Sequence, residues 1–140
     1  MKLAIVGTGR WARNIIASLP PDMELTAVIS SRTDLGALLV PPRMLYRDVD
    51  ELPFDDLDGI IIANEASKHL DDVNFIRAET PMTPIFVEKP LSMDLLDAKD
   101  AASRWNSLDP TTPEGRTVVL VDHTQLFNQN LIELKAQLDG

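Results

Sequence analysis

Apolar and polar positions alternate along this chain in two periods, and together they place most of its secondary structure. Lys2-Leu3-Ala4-Ile5-Val6 is a short apolar run stopped by Gly7, the pattern of a buried strand. Trp11 to Leu19 follows with helical spacing, and Pro20-Pro21 ends it. Leu25 to Ile29 reads as a second strand, closed by Ser30-Ser31-Arg32. Asp34 to Val40 predicts a short helix that Pro41-Pro42 cuts off, and Met44-Leu45-Tyr46 a weak third strand. Gly59 to Ala63 is the clearest strand of all, apolar on both faces, as strands covered on two sides are. The second half repeats the alternation. Leu70, Val73 and Ile76 recur at helical spacing before the strand Ile85-Phe86-Val87. Leu95, Ala98, Ala102 and Trp105 then predict one apolar helical face, with Ser92 as its N-cap. Thr117 to Val121 is a sixth apolar run, and Leu131, Leu134 and Leu138 form a last amphipathic stripe. Strands alternating with helices predict an α/β fold, a doubly wound and mostly parallel sheet with helices on both faces. Asp109 to Gly115 is the one linker-like stretch, short enough to be a surface excursion within a domain.

Composition narrows what such a sheet can do. The 140 residues are the size of one domain, residues 1–140, large enough to bury a core without covalent staples. With no cysteine there is no disulfide framework, thiolate metal site or cysteine nucleophile. A net charge of −9 repels nucleic acid and anionic membrane, so neither is an expected partner. No signal-peptide layout opens the chain and no apolar run approaches the ~18 residues of a span, so it reads as a soluble, cytoplasmic protein.

The chemistry concentrates where strands end. Gly7-Thr8-Gly9-Arg10-Trp11-Ala12 lies between the first strand and the first helix. A dinucleotide pyrophosphate needs a tight turn, a bare backbone beside it and exposed helix N–H groups. Gly7 supplies the turn, Gly9 the close approach, and Ala12 the small side chain that lets helix and strand pack. At the end of the second strand an acidic residue would bind the ribose 2′-hydroxyl of NAD. Ser30 stands there instead, with Ser31 and Arg32 offering hydroxyls and a guanidinium suited to the 2′-phosphate of NADP. Asp34 complicates this, and Arg32 reads equally well as a solvated loop charge. NADP is slightly favoured over NAD.

Glu88-Lys89-Pro90 directly follows the fifth strand, at the carboxyl end where doubly wound sheets bind ligands. With it, Ala4-Ile5-Val6-Gly7-Thr8-Gly9, Trp11, Asn14, Gly59 to His69, Val121-Asp122-His123-Thr124 and Phe127 give the chain a resemblance. It resembles the N-terminal NAD(P)-binding Rossmann domain of the glucose–fructose oxidoreductase / inositol dehydrogenase family (Gfo/Idh/MocA). The resemblance implies hydride transfer between a nicotinamide and the hydroxyl or carbonyl of a sugar, cyclitol or sugar nucleotide. It places Lys89 near the nicotinamide and the reacting hydroxyl, where an ammonium polarises a carbonyl or lowers a hydroxyl's pKa. Ala63, Asn64, Glu65, Glu88 and Lys89 would border the nicotinamide half. His69 would either border that pocket or play a structural part, and Glu88 would pair with Lys89 or support the turn. The chain departs from the family with Asn64-Glu65 for a common Thr-Pro, Leu126-Phe127 for Arg-Phe, and two prolines, Pro81 and Pro84, in the segment Glu79 to Pro84 where a short glycine turn is common. The resemblance also implies that a substrate-binding sheet, carrying the Asp and His partners of catalysis, would begin near Gly140. The rival reading is a free-standing dinucleotide-binding module, a regulator or one subunit of a split enzyme. A sugar-like substrate would need a second domain, and a homo-oligomer stays open.

The remaining candidates are weaker. Asp122 and His123 are strand neighbours whose side chains point to opposite faces, so no Asp–His relay is expected. The two histidines make no zinc signature, and the acids from Asp48 to Asp58 lack the spacing of a calcium loop, so no metal is expected. Trp11 would lie over the pyrophosphate loop or against the sheet edge; Trp105 reads as core.

Overall fold

The computed structural model describes residues 1–31, 44–123 and 133. Six strands, β1 (Lys2–Val6), β2 (Glu24–Ile29), β3 (Leu45–Tyr46), β4 (Gly59–Ile62), β5 (Ile85–Val87) and β6 (Val119–Val121), form one sheet. Every pairing is parallel, and the order is β3-β2-β1-β4-β5-β6. The chain steps outward from β1 to β3, then returns to β4 on the other side of β1. That reversal opens a crevice at the carboxyl ends of β1 and β4.

Strand alternation divides the core in two. Ala4, Val6, Ile29, Ile60, Ile62, Ile85 and Val87 face Val73 and Ile76 of α2 (His69–Glu79). Leu3, Ile5, Val28 and Ile61 face Ala12 of α1 (Arg10–Ser18). This two-sided burial is why β1 and β4 read as unbroken apolar runs: β4 is buried at all four positions. Each fully buried Ile or Val contributes about 1.5–3 kcal/mol of transfer free energy.

The elements match the sequence reading within a residue or two, except in two places. The helix α3 (Leu95–Asn106) is capped by Asp94, whose carboxylate accepts from the Leu96 and Asp97 N–H groups. Ser92 accepts from the Asp94 N–H at 3.0 Å and supports the cap rather than being it. A carboxylate in extended conformation takes two donors and opposes the helix dipole, so it outcompetes the hydroxyl. The buried face of α3 is also displaced. Ala101 is fully buried, whereas Leu95, about 120° around the helix from it, is 67% exposed. Second, the Asp109–Gly115 excursion contains a one-turn helix, α4 (Pro113–Arg116), because Thr112-Pro113 is a helix start: Thr112 accepts from the Gly115 N–H.

A buried arginine ties that excursion down. Arg77 of α2 donates to the carbonyls of Glu114 (2.9 Å) and Thr117 (3.4 Å) and lies 5.0 Å over the Trp105 ring. The Thr117 hydroxyl also donates to the Pro81 carbonyl. Of the acids from Asp48 to Asp58, Asp50, Glu51, Asp55 and Asp56 are carried on two 3-10 turns, Val49–Glu51 and Phe54–Asp56, each followed by a buried leucine, Leu52 and Leu57. The expected helix from Asp34 to Val40, the stripe of Leu131, Leu134 and Leu138, and Arg32, Thr124, Leu126 and Phe127 lie outside the described residues. No helix among the described residues is long and apolar enough to cross a membrane.

Candidate functional site

The parallel ladder continues one residue past each strand and sets a row of residues along the carboxyl edge. Ser30 N–H donates to Tyr46 O, Gly7 to Ile29 O, Ala63 to Val6 O, Glu88 to Ile62 O and Asp122 to Val87 O, all at 2.8–3.0 Å. Gly7, Ser30, Ala63, Glu88 and Asp122, the first residues after their strands, are therefore on one edge. A cleft of about 300 Å³ opens at the reversal point, lined by Gly7, Thr8, Gly9, Ser30, Ser31, Ala63, Asn64 and Glu65. Val6, Ile29, Arg47, Asp48, Val49, Lys68 and Asp72 complete it.

The glycines have separate reasons. Gly7 has φ +106°, and a Cβ there would lie 2.6 Å from the Ala63 carbonyl oxygen. The turn is left-handed and pressed against the end of β4, which only glycine allows. Gly9 has an ordinary φ of −67°, and a Cβ on it would meet nothing within 4 Å. Its bare backbone faces open cleft. Gly9 is also the N-cap of α1 and offers no side-chain cap, and the first turn carries no acidic residue. The N–H groups and positive dipole end of α1 are thus left for an anion. Ala12 is fully buried against the sheet, Arg10 is exposed, and Trp11 is 60% exposed; none of the three lines the cleft.

At the β2 end, Thr8 and Ser30 are buried and share a hydroxyl hydrogen bond of 2.8 Å, while Ser31 is exposed at the rim. On the β4 side, Asn64 donates through Nδ2 to Asp72 Oδ2 at 2.7 Å. Its own Oδ1 is buried without a partner among the described residues, an acceptor awaiting a donor. Burial raises the Asp72 carboxyl above its ordinary value, opposed by the Asn64 hydrogen bond and by Lys68 and His69, with Asp71 adding to the rise.

His69 does not line the cleft. It is 2% exposed, with Nδ1 2.8 Å from the Pro90 carbonyl and Nε2 3.3 Å from the Asn64 carbonyl. It ties the β4–α2 connection to the turn after β5, so its place in the structure is that of a brace. The Lys89–Pro90 bond in that turn is cis. Glu88 is 9% exposed, and its partners are the Asp122 carboxyl and the Lys89 backbone N–H. Burial, then the Asp122 charge, push the Glu88 carboxyl up; the Lys89 N–H and ammonium pull the other way. Asp122 is a neighbour of Glu88 that neither sequence reading contained. His123 is exposed beside it. Lys89 is exposed on the same edge, outside the 300 Å³ cleft.

The sequence reading missed Arg47, Asp48, Lys68 and Asp72. Lys68 and Asp72 are four apart, and that helical spacing was legible. Arg47 and Asp48 follow a two-residue strand, and only its register against β2 brings them to the cleft.

A glycine turn at the first strand, an uncapped helix and a sheet reversing beside β1 describe a dinucleotide domain, and comparison with known proteins agrees. The profile of the oxidoreductase family with an NAD-binding Rossmann fold, Gfo/Idh/MocA, matches residues 1–109. The chain belongs to the Gfo/Idh/MocA family. It is the family's NAD-binding Rossmann domain, as the resemblance implied. Among solved structures, scyllo-inositol dehydrogenase from Lactobacillus casei with bound NAD(H) and scyllo-inositol is 18% identical, with a TM-score of 0.73. Myo-inositol 2-dehydrogenase from Lactobacillus plantarum is 18% identical, with a TM-score of 0.72. In both, the alignment covers 99% of this chain and 40% of the other. A candidate oxidoreductase from Magnetospirillum magnetotacticum MS-1 is 32% identical with a TM-score of 0.71, covering 99% of this chain and 43% of the other. The Gfo/Idh/MocA chain described here thus spans about two-fifths of the length of these structures. A search of the curated proteins finds no match in sequence.

Proposed function

We propose that this Gfo/Idh/MocA domain holds NADP, in preference to NAD, along the carboxyl edge of its sheet and serves hydride transfer to or from a polyol carbon. The observation that carries the reading is the glycine loop: Gly7 forced left-handed against Ala63, Gly9 open, and α1 uncapped. A nucleotide fits that arrangement, since its pyrophosphate supplies the anion the helix lacks, and a ribose or carboxamide donor suits the orphaned Asn64 Oδ1. Gly7, Thr8 and Gly9, with the N–H groups of Arg10, Trp11 and Ala12, bind the pyrophosphate. Ser30 supports and Ser31 and Arg32 meet the adenosine ribose. Ala63, Asn64 and Glu65 border the nicotinamide half, and His69 and Glu88 brace the turn that carries Lys89.

When bound, the nicotinamide supplies a hydride donor or acceptor. Lys89 then holds its ammonium beside the reacting oxygen and favours the alkoxide-like charge that develops there. The substrate is a sugar or cyclitol hydroxyl, with its other hydroxyls held by a substrate-binding part corresponding to the rest of the longer structures. The dinucleotide reading is tested by titrating the chain with NADPH and NADH while following tryptophan fluorescence and melting temperature. Binding of NADPH is expected; no response to either at millimolar concentration refutes it. Reduction of NADP with a panel of polyols tests the enzyme half. Turnover that Lys89→Ala lowers about 100-fold, a usual weight for an acid–base group, supports it; its absence in the wild-type chain leaves a binding module.

A further inference from the structure

The cation that the sequence reading placed at the adenosine ribose was Arg32, but the structure brings a second one to the same place. We infer that Arg47, with Ser31, reads the 2′-phosphate of NADP and is the residue that sets the preference between the two dinucleotides. The inference rests on the dinucleotide reading of the cleft and adds a residue to it.

Register puts Arg47 there. Ile29 of β2 pairs with Tyr46 of β3, and the Ser30 N–H donates to the Tyr46 carbonyl at 3.0 Å. Ser30-Ser31 and Arg47 therefore leave adjacent parallel strands side by side, at the ribose end of the cleft they line. The backbone of Arg47 is fixed: its N–H donates to Glu51 Oε2 at 2.8 Å, across a turn anchored by Leu52, which is buried. Arg47 is exposed and is among the residues that line the cleft. A pinned backbone with an exposed guanidinium suits a residue that reads a ligand, because little ordering remains to be done on binding.

Charge selects the ligand. Acids outnumber bases across the chain, and Asp48, Glu65 and Asp72 line this cleft; Arg47 and Lys68 are the basic residues among its lining. Lys68 acts on Asp72, on the β4 side. Among the described residues, Arg47 is thus the cation at the β2–β3 end. Among the described residues no carboxylate stands at the end of β2 to repel a phosphate, since Ser30 is there and shares a hydrogen bond with Thr8. A 2′-phosphate carries nearly two charges and accepts the forked guanidinium geometry, which a 2′-hydroxyl does not. Among the described residues Asp48 is the local competitor, because a carboxylate in that place suits the unmodified hydroxyl.

Calorimetry with the whole chain and four probes, NADPH, NADH, 2′,5′-ADP and 5′-ADP, tests this. The wild type is expected to bind 2′,5′-ADP at least tenfold tighter than 5′-ADP. Arg47→Gln is expected to erase most of that ratio and to lose about tenfold more affinity for NADPH than for NADH, the usual weight of one charge-assisted contact; Arg47→Lys restores part of it. A ratio unchanged in Arg47→Gln, or one that Arg32→Gln alone removes, overturns the assignment. So does a wild type that prefers NADH and loses it in Asp48→Asn, which would make Asp48 the reader of a 2′-hydroxyl. A wild type that binds 2′,5′-ADP and 5′-ADP equally, while still binding dinucleotide, defeats Arg47 alone; one that binds none of the four defeats the dinucleotide reading with it.

Discussion

Two glycines two positions apart, Gly7 and Gly9, should respond in opposite ways to the same added methyl group. At Gly7 an alanine must adopt φ +106° and place its Cβ 2.6 Å from Ala63 O and 2.7 Å from Asn64 Cα. The left-handed backbone costs about 1–2 kcal/mol for a residue with a Cβ. The contact needs a shift of several tenths of an ångström in the end of β4, an overpacking cost of about 1–3 kcal/mol. The sum is about 2–5 kcal/mol, or a melting temperature lower by ~7–17 °C for a domain of this size. At Gly9 the backbone is already one alanine adopts, and the Cβ meets nothing. A small loss of capping quality offsets the stiffer unfolded chain, so Gly9→Ala should melt within about 2 °C of wild type. Its methyl group nevertheless stands where the proposed pyrophosphate approaches, and dinucleotide affinity should fall about tenfold or more. Thermal melting and titration of both variants separate the two effects. Gly7→Ala melting with the wild type would refute the argument from the strained turn, and Gly9→Ala binding with wild-type affinity would remove the ligand from that backbone.

Three further outcomes follow from the packing and the charges. Arg77→Leu leaves the Glu114 and Thr117 carbonyls without their donor and strips the cation from Trp105, and should cost about 2–4 kcal/mol in denaturant unfolding; a loss under 1 kcal/mol would mean the excursion is held by other contacts. Asp94→Ala removes the acceptor of two N–H groups at the start of α3 and should cost about 1 kcal/mol, recovered by Asp94→Ser. Glu88 has a folded pKa raised above its ordinary 4.5, so its protonation favours the folded state. Its contribution is complete below pH 4.5 and is lost as pH rises through the raised folded value. Glu88→Gln should therefore melt above wild type at pH 8, with the advantage vanishing toward pH 4; a difference independent of pH would show that burial does not act on this carboxyl.

The order of elements was legible because each strand announces itself locally. β1, β4 and β5 are apolar on both faces, and Gly7, Asn64 and the Glu-Lys-Pro turn follow them within two residues. The helix caps were less so: Ser92 and Asp94 are both good N-cap residue types, and which one starts α3 depends on the phase that buries Ala101. Thr112-Pro113 carried a start signal for α4 that the loop-like composition around it obscured.

For the site, the glycine loop, its position between strand and helix, and the Glu-Lys-Pro turn were readable from local residues, since these are local demands of backbone conformation. What each residue faces came from the packing of the strands. Register carried Arg47 to Ser31, set Asp122 beside Glu88 and turned His69 away from the cleft into a brace between two turns. Local sequence fixes φ and ψ through sterics, whereas the partner of a side chain depends on which strands lie next to each other, and the reversal from β3 to β4 makes neighbours of residues far apart in the chain.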